Sequence, residues 1–160
     1  MPQLSFHTPL GDLTVSEEDG AIVALDWGRG RDQAETPLLK HARDQLQDYF
    51  DRKLTAFDLP LAPHGTAFQR KVWDALLTIP AGQTRTYAEI ARQVECRAAR
   101  AIGQANGANP IPILIPCHRV VAADGSLGGY SGGEGEATKR YLLDLERDAP
   151  GAASLFTAAT

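Results

Sequence analysis

Short apolar runs followed by an amphipathic helix organise the first third of the chain. Residues 3–6, 13–15 and 21–27 are apolar runs separated by turn residues, which predicts three strands. A helix is predicted to begin at Thr36-Pro37, because threonine is a good N-cap and proline suits the first helical position. Apolar residues then recur at helical spacing as far as Phe50, which predicts one packed helix.

Two capping patterns indicate where helices begin in the middle of the chain. Thr66 and Gln69 have the spacing of a capping box, and Thr86 and Glu89 repeat it. The first box precedes an apolar helical stripe made of Phe68, Val72, Trp73, Leu76 and Leu77. The second box predicts a short helix that continues to about Val94.

A second short helix is predicted over residues 98–106, after a break at residues 95–97. Its inward positions are expected to be Ala98, Ala101, Ile102 and Ala105. Two short helices joined by a tight turn are typical of a helix-turn-helix, although many helical hairpins bind nothing. Small residues around Arg100 would let this helix approach another surface closely.

The segment 109–121 reads N-P-I-P-I-L-I-P-C-H-R-V-V and carries the candidate chemistry. Its three prolines lack backbone donors, so neither a helix nor a regular central strand is expected. The apolar residues between them predict a buried, extended segment that delivers Cys117 beside His118 and Arg119. A rigid segment that ends in a nucleophile beside a base is a sensible way to build a reactive cysteine.

Cys117 has two interpretations on the residues alone. A lone buried cysteine is ordinarily a small hydrophobic residue. Neighbouring positive charge and imidazole, however, lower the pKa of a thiol and favour the thiolate. Because adjacent residues of an extended segment point to opposite sides, His118 is expected to reach Cys117 through a turn or a water molecule.

The last part of the chain predicts a strand at 120–123, a glycine-rich loop at 128–133 and a helix at 137–146. Glu146 follows the packed face of that helix and is expected to turn inward. The Pro- and Gly-containing stretch at 60–65 is interpreted as a linker, so that residues 1–63 and 64–160 form two domains. No chemistry is predicted in the first of these domains.

Charge is distributed unevenly around a net value of −4. Residues 64–121 carry seven basic and three acidic side chains, whereas the segments before and after them are both acidic. A polyanion responds to local charge, because salt screens interactions beyond roughly 8–10 Å. An ordinary solvated face explains this block equally well in the absence of motifs.

Cysteine content and hydropathy indicate which cellular compartment and which kinds of site to expect. Cys96 and Cys117 are the two cysteines, too few for a disulfide framework and without the spacing of a metal site. No cofactor and no metal are expected. The chain shows neither a signal peptide nor an apolar run long enough for a membrane span, so a cytoplasmic protein with no membrane partner is predicted.

The order P-C-H-R-V, preceded by N-P-x-P-I-L-I, resembles the active-site signature of the O6-alkylguanine-DNA alkyltransferases, or methylated-DNA–protein-cysteine methyltransferases. The similarity extends from about Phe68 to Glu146. The resemblance implies an α+β fold, with a small N-terminal α/β domain of ribonuclease H-like type and a mainly helical C-terminal domain containing the helix-turn-helix. It also implies single-turnover repair of double-stranded DNA by a monomer that keeps the alkyl group.

The resemblance assigns the chemistry residue by residue. Cys117 would attack the alkyl carbon on guanine O6, His118 would act as base through a water molecule, and Glu146 would orient the imidazole. Tyr87 would donate to guanine N3, and Asn109 would hold the loop between the helix pair and the active site.

The resemblance also assigns binding roles. The substrate base would be held by the backbones of Cys117, Val120 and Ser131 and by the side chains of Pro112 and Tyr130. Arg100 would replace the nucleotide that flips out of the stack. Further DNA contacts are expected from Thr86, Ala99, Gly103 and Arg119.

Two positions at the end of the second short helix depart from the pattern of the family. Asn106 and Gly107 stand where relatives often have a larger apolar and a basic residue, which puts DNA affinity in doubt more than chemistry. A cysteine hydrolase using Cys117, His118 and Glu146, and a non-catalytic sensor of damaged DNA, are the alternatives. The range of alkyl groups, activity on O4-alkylthymine, cooperative assembly on DNA and the role of Cys96 are left undetermined.

Overall fold

The N-terminal part of the chain is an antiparallel three-stranded meander covered by one helix. The computed structural model describes residues 1–130 and 132–148. Strands β1 (Gln3–Thr8), β2 (Gly11–Glu18) and β3 (Ala21–Trp27) pair in sequence order. The predicted strands are confirmed, and the first two are longer than their apolar runs. The β2–β3 turn is tight, because Asp19 and Gly20 both adopt positive φ, at 51° and 79°.

Helix α1 (Pro37–Phe50) packs on this sheet. The hydroxyl of Thr36 accepts a hydrogen bond from the backbone N–H of Leu39 at 3.1 Å, so the predicted N-cap is confirmed. The buried face of the helix recurs at helical spacing and consists of Leu39, Ala42, Leu46, Tyr49 and Phe50.

The stretch predicted as a linker is partly tied to the sheet. Ile22 donates its backbone N–H to Pro60 at 2.8 Å, and Ala62 donates to the carbonyl of Ile22 at 2.8 Å. Leu61 therefore forms an isolated parallel bridge beside β3, which corrects the expectation of a free linker. The division into domains 1–63 and 64–160 stays a prediction.

The second part of the chain is mainly helical. A two-residue parallel ladder joins β4 (Arg85–Thr86) to β5 (Val120–Val121). None of the helices among the described residues is long and apolar enough to cross a bilayer. The helices of this second part are α2 (Ala67–Leu76), α3 (Tyr87–Gln93), α4 (Ala99–Gly107) and α5 (Glu136–Arg147).

Both predicted capping boxes are present, at the starts of α2 and α3. Burial along the helices differs from the prediction at three positions. Phe68 and Leu77 are 38% and 48% exposed, because one lies in the first turn of α2 and the other is its C-cap. Ala98 is exposed, since it is the N-cap of α4 rather than a residue on its inner face.

Helices α3 and α4 pack on each other and are joined by a short turn. The turn is closed by Glu95 at φ 59° and by a hydrogen bond from Cys96 N–H to the carbonyl of Ala91 at 2.8 Å. The sequence break at residues 95–97 therefore lies where the chain reverses. Trp73 of α2 supports α4 from beneath, since its indole N–H donates to the carbonyl of Ala105 at 2.9 Å.

The proline-rich segment is buried as predicted, but it is not extended. Ile113 has φ 73°, and Ile115 donates its N–H to the carbonyl of Ile111 at 2.9 Å, so the chain turns sharply within the segment. A positive φ is unusual for a β-branched residue, and the packed core around Ile113 holds it there. A turn of 3₁₀ helix, Cys117–Arg119, follows.

We expect the substitution Trp73→Phe to lower the free energy of unfolding by about 1–3 kcal/mol. The change removes the donor to Ala105 and leaves a small void under α4. Urea denaturation measures the loss. Leu77→Ala, at an exposed position, is the control and should cost less than about 1 kcal/mol. Similar losses in both variants would show that the indole does not support α4.

Candidate active site

Cys117 begins a 3₁₀ turn and is 5% exposed. Its backbone N–H donates to Ile115 at 2.8 Å, and its carbonyl accepts both the N–H of Val120 and the side-chain amide of Asn106, the latter at 3.2 Å. These bonds hold the backbone of the cysteine on both sides. Because the residues lie on a turn, Cys117 and His118 do not follow the alternation of an extended strand.

Asn109 clamps the segment that leads to the cysteine. Its side-chain amide donates to the carbonyl of Ile115 at 2.8 Å, and its side-chain oxygen accepts the N–H of Ile111 at 2.9 Å. One side chain thus connects the two ends of the turn around Ile113. This is the place at which the resemblance expects a loop-holding asparagine.

Four donor atoms surround the buried carboxylate of Glu146. His118 Nε2 lies 2.6 Å from Oε2, and the guanidinium of Arg119 donates to Oε1 and Oε2, each at 2.8 Å. Tyr49 of α1 donates its hydroxyl to Oε2 at 2.7 Å. His118 and Glu146 are 0% and 1% exposed, so this cluster lies entirely inside the protein.

The charges in this cluster shift the pKa values of both partners. Burial alone raises the pKa of the Glu146 carboxyl, but His118 and Arg119 outweigh burial and hold that pKa well below its usual range. Burial lowers the pKa of His118, against the opposing effect of Glu146. An ionised carboxylate facing a neutral imidazole requires that Nε2 carries the proton.

The other ring nitrogen of His118 is available as an acceptor. Nδ1 is buried and has no hydrogen-bond partner among residues 1–130 and 132–148. With Nε2–H committed to Glu146, Nδ1 presents a bare lone pair. The imidazole is therefore oriented by the carboxylate and ready to accept one proton.

The thiol itself is not a resting thiolate. Burial raises the pKa of Cys117, and hydrogen bonding from Asn109 and the charge of Lys139 only partly oppose the shift. The expectation that neighbouring charge favours the thiolate is corrected here, because the charge of Arg119 is paired with Glu146. At neutral pH the neutral thiol is therefore the favoured form of Cys117.

Cys117 opens onto a cavity of about 650 Å³. Tyr87, Pro112 and Tyr130 line it, as does Gly103 of α4. Burial and the neighbouring Cys117 raise the pKa of Tyr87, so its hydroxyl is a proton donor at neutral pH. The structure thus gathers Tyr87, predicted as a catalytic residue, and Pro112, Tyr130 and Gly103, predicted as binding residues, around the cysteine.

The N-terminal part of the chain supplies one wall of this cavity. Leu25, Asp26 and Trp27, at the end of β3, are lining residues. Trp27 meets Tyr130 edge to face, with ring centroids 6.5 Å apart. A Cβ on Gly132 would lie 2.7 Å from the Trp27 ring, so this position needs glycine for the loop to pass. Residues 1–63, in which no chemistry is predicted, thus contribute a wall to the cavity.

Two predicted site residues do not reach the cavity. Val120 is fully buried, and its carbonyl accepts a 2.6 Å hydrogen bond from Lys139. Arg119, expected to contact DNA, is 6% exposed, because its guanidinium is enclosed by Glu146 and the carbonyl of Ile79. Ser131 lies outside the described residues.

The remaining candidates for DNA contact lie at the surface of the helix pair. Arg100 and Ala99 are exposed in the first turn of α4. Thr86 is half-buried and its hydroxyl caps α3 by accepting the N–H of Glu89. Without Arg119, the basic block keeps six cationic side chains that are not buried, namely Arg70, Lys71, Arg85, Arg92, Arg97 and Arg100.

Comparison with known proteins identifies the family. The family model for the 6-O-methylguanine DNA methyltransferase DNA binding domain matches residues 67–148, and that for the ribonuclease-like domain matches residues 4–63. The chain belongs to this family. The resemblance inferred from the P-C-H-R-V segment and the predicted α+β fold class are both confirmed.

Individual members of the family are similar over nearly the whole chain. The constitutive methylated-DNA–protein-cysteine methyltransferase of Bacillus subtilis is 45% identical, covering 88% of this chain and 92% of that protein. The methylated-DNA–protein-cysteine methyltransferase of Mycobacterium bovis is 46% identical, with coverages of 95% and 96%. A crystal structure of Mycobacterium tuberculosis OGT in complex with DNA superposes with a TM-score of 0.83 at 44% identity, covering 98% and 99% of the two chains.

Lys139 is a site residue that sequence reasoning missed. It is fully buried, and its ammonium donates to the carbonyls of Val120 and Gly129 at 2.6 and 3.4 Å. Burial lowers its pKa, and its charge lowers the pKa of Cys117 in turn. Lys139, Leu142 and Glu146 recur at helical spacing, so the inner face of α5 contained the signal.

We expect Cys117 to react slowly with iodoacetamide near neutral pH, with a midpoint above that of an ordinary thiol, because burial raises its pKa. Asn109→Ala should move the midpoint higher still, since Asn109 stabilises the thiolate. Intact-mass measurements over a pH series, in a Cys96→Ser background, report Cys117 alone. A midpoint below that of free cysteine would show that the thiolate is already formed at rest.

Proposed function

We propose that this protein repairs alkylated DNA by transferring an alkyl group from O6 of guanine to the sulfur of Cys117, once per molecule. The observation that supports the proposal is that Cys117 lies at the wall of a substrate-sized cavity and is followed by His118, which is paired with Glu146. The chain also belongs to a family of methyltransferases. A thiol at the wall of a pocket, beside an oriented base, is the arrangement of an activated nucleophile.

The proposed reaction is a displacement at carbon. Sulfur of Cys117 forms a bond to the alkyl carbon while the bond from that carbon to O6 breaks and its electron pair stays with guanine. The thiol proton passes to Nδ1 of His118 through a bridging water molecule, and Glu146 stabilises the imidazolium that forms. Tyr87 donates a proton to guanine N3 and becomes a tyrosinate. The imidazolium of His118 then returns a proton to Tyr87 through solvent, so that guanine gains the one proton that the thiol lost and both side chains are restored.

The cavity walls explain how a base would be held. Tyr87, Pro112 and Tyr130 provide flat apolar surfaces around Cys117, and Asn109 keeps the turn beneath it in place. O6 and its alkyl carbon cannot be reached in line inside a stacked duplex, so the nucleotide must be flipped out. Double-stranded DNA with O6-alkylguanine is therefore the proposed substrate.

The helix pair α3–α4 is the proposed helix-turn-helix. Arg100 projects from the exposed first turn of α4, and Gly103 on the same helix borders the cavity. An arginine at this place can fill the gap in the base stack when the nucleotide leaves. Ala99 and Thr86 would lie against the DNA backbone, and α4 can approach the groove closely because its surface residues are small.

We also propose that the protein acts as a monomer in a reducing compartment such as the cytoplasm. The described residues of one chain supply the nucleophile, the base, the orienting carboxylate and the cavity walls. Cys96 and Cys117 are both free thiols, and an alkyl acceptor must remain reduced.

We expect label from duplex DNA carrying O6-[³H]methylguanine to reach one methyl group per protein molecule and then stop, because a thioether at Cys117 has no route back to a thiol. Cys117→Ser should abolish the transfer, and Cys96→Ser should leave it largely intact. Intact mass gives the stoichiometry. Sustained turnover would favour a hydrolase, and tight binding without label on the protein would favour a sensor.

We expect Arg100→Ala to slow repair in duplex DNA by roughly 10- to 100-fold, because extruding a nucleotide costs a few kcal/mol. Reaction with free O6-benzylguanine requires no extrusion and should change little. Arg140→Ala, an exposed arginine of α5, is the charge-matched control and should affect neither substrate strongly. Equal losses of Arg100→Ala on both substrates would contradict the finger role.

A further inference from the structure

Tyr49 connects the N-terminal part of the chain to the proton relay. It lies on α1, far from Glu146 in sequence, and is 2% exposed. Its ring packs against Phe50 and Phe57, with centroids 5.3 and 5.2 Å away, so its position is set by the packing of the N-terminal part. The hydroxyl then reaches Oε2 of Glu146 at 2.7 Å.

Oε2 of Glu146 is shared among three donors. His118 Nε2, Arg119 Nη2 and the Tyr49 hydroxyl lie at 2.6, 2.8 and 2.7 Å from it. Each donor that stabilises the carboxylate weakens it as an acceptor for the others. The interaction that orients His118 is therefore adjusted by a residue that does not line the cysteine cavity and that shares an acceptor oxygen with the imidazole.

Tyr49 acts as a donor throughout the working pH range. Burial raises the pKa of its hydroxyl well above the ordinary value, and the Glu146 carboxylate raises it further. The titratable and charged groups that influence this cluster come from α1, the 3₁₀ turn, the glycine-rich loop and α5. They are Tyr49, Cys117, His118, Arg119, Tyr130, Lys139 and Glu146.

We propose that Tyr49 is a positioning residue of the alkyl-transfer site: its hydroxyl shares the Glu146 carboxylate with His118, limits the basicity of the imidazole, and so sets the lower pH limit of the reaction. This inference rests on the proposed function, in which His118 accepts the thiol proton. Through Tyr49, the N-terminal part of the chain would influence the proton transfer.

The sign of the effect follows from the hydrogen bonds. Without the Tyr49 hydroxyl, the carboxylate binds His118 more strongly and favours the imidazolium. The pKa of His118 then rises. Because only the neutral imidazole can accept the thiol proton, the acid limb of the pH–rate profile moves to higher pH.

The test uses single-turnover reaction of the full-length protein with free O6-benzylguanine between pH 5 and 9, followed by intact mass. In Tyr49→Phe the acid limb should shift upward by roughly half a pH unit, which lowers the rate about threefold on that limb and leaves the high-pH rate nearly unchanged. Tyr141→Phe, a half-buried tyrosine of α5, is the matched control and should reproduce the wild-type profile.

A second variant guards against loss of folding. Site-specific 3-fluorotyrosine at position 49 keeps the hydroxyl and makes it a stronger donor, so the acid limb should shift to lower pH. A merely structural role would scale the rate without moving the limb. Profiles of both variants that coincide with the wild type would overturn the inference, whereas wild-type protein that takes up no benzyl group from the free base or label from alkylated duplex DNA would overturn the proposed function itself.

Discussion

The buried carboxylate of Glu146 is the interaction on which the rest of the site depends. A charge inside a protein must be paired and fully hydrogen-bonded, and here Arg119 neutralises it while His118 and Tyr49 complete its shell. The same bonds bring α1, the 3₁₀ turn and α5 together. Removing Arg119 would leave the buried carboxylate without its cationic partner. The geometry around Glu146 and the packing of the two halves of the chain are maintained by the same contacts.

The proposed reactivity of Cys117 does not require a thiol that is charged at rest. Burial favours the neutral thiol of Cys117 and the neutral imidazole of His118. The Glu146 carboxylate opposes burial at His118 by favouring the imidazolium. A thiol that is mostly neutral is protected from adventitious alkylation and oxidation, because the thiolate is the reactive form. This protection matters for a protein proposed to react once, since each wrongly modified molecule is lost.

Local sequence signals predicted most of the secondary structure. The two capping boxes, the threonine–proline start of α1 and the turn at residues 18–20 act over a few residues, so they can be read directly from the order of side chains. The P-C-H-R-V segment likewise identified the family. The extended path predicted for residues 109–121 was wrong, because prolines exclude a regular ladder but do not specify where a chain turns. That turn is set by Asn109 and by the core around Ile113.

The sequence by itself determined the candidate nucleophile, the family, the fold class and the inward direction of Glu146. Only the tertiary structure decided that Arg119 pairs with this carboxylate instead of contacting DNA, that Lys139 lies beneath the cysteine loop, and that Tyr49 and Trp27 reach the site from the other half of the chain. The physical reason is distance along the chain. Caps and amphipathic periods depend on neighbours a few residues away, whereas the partner of a buried charge is chosen by the packing of elements far apart in sequence.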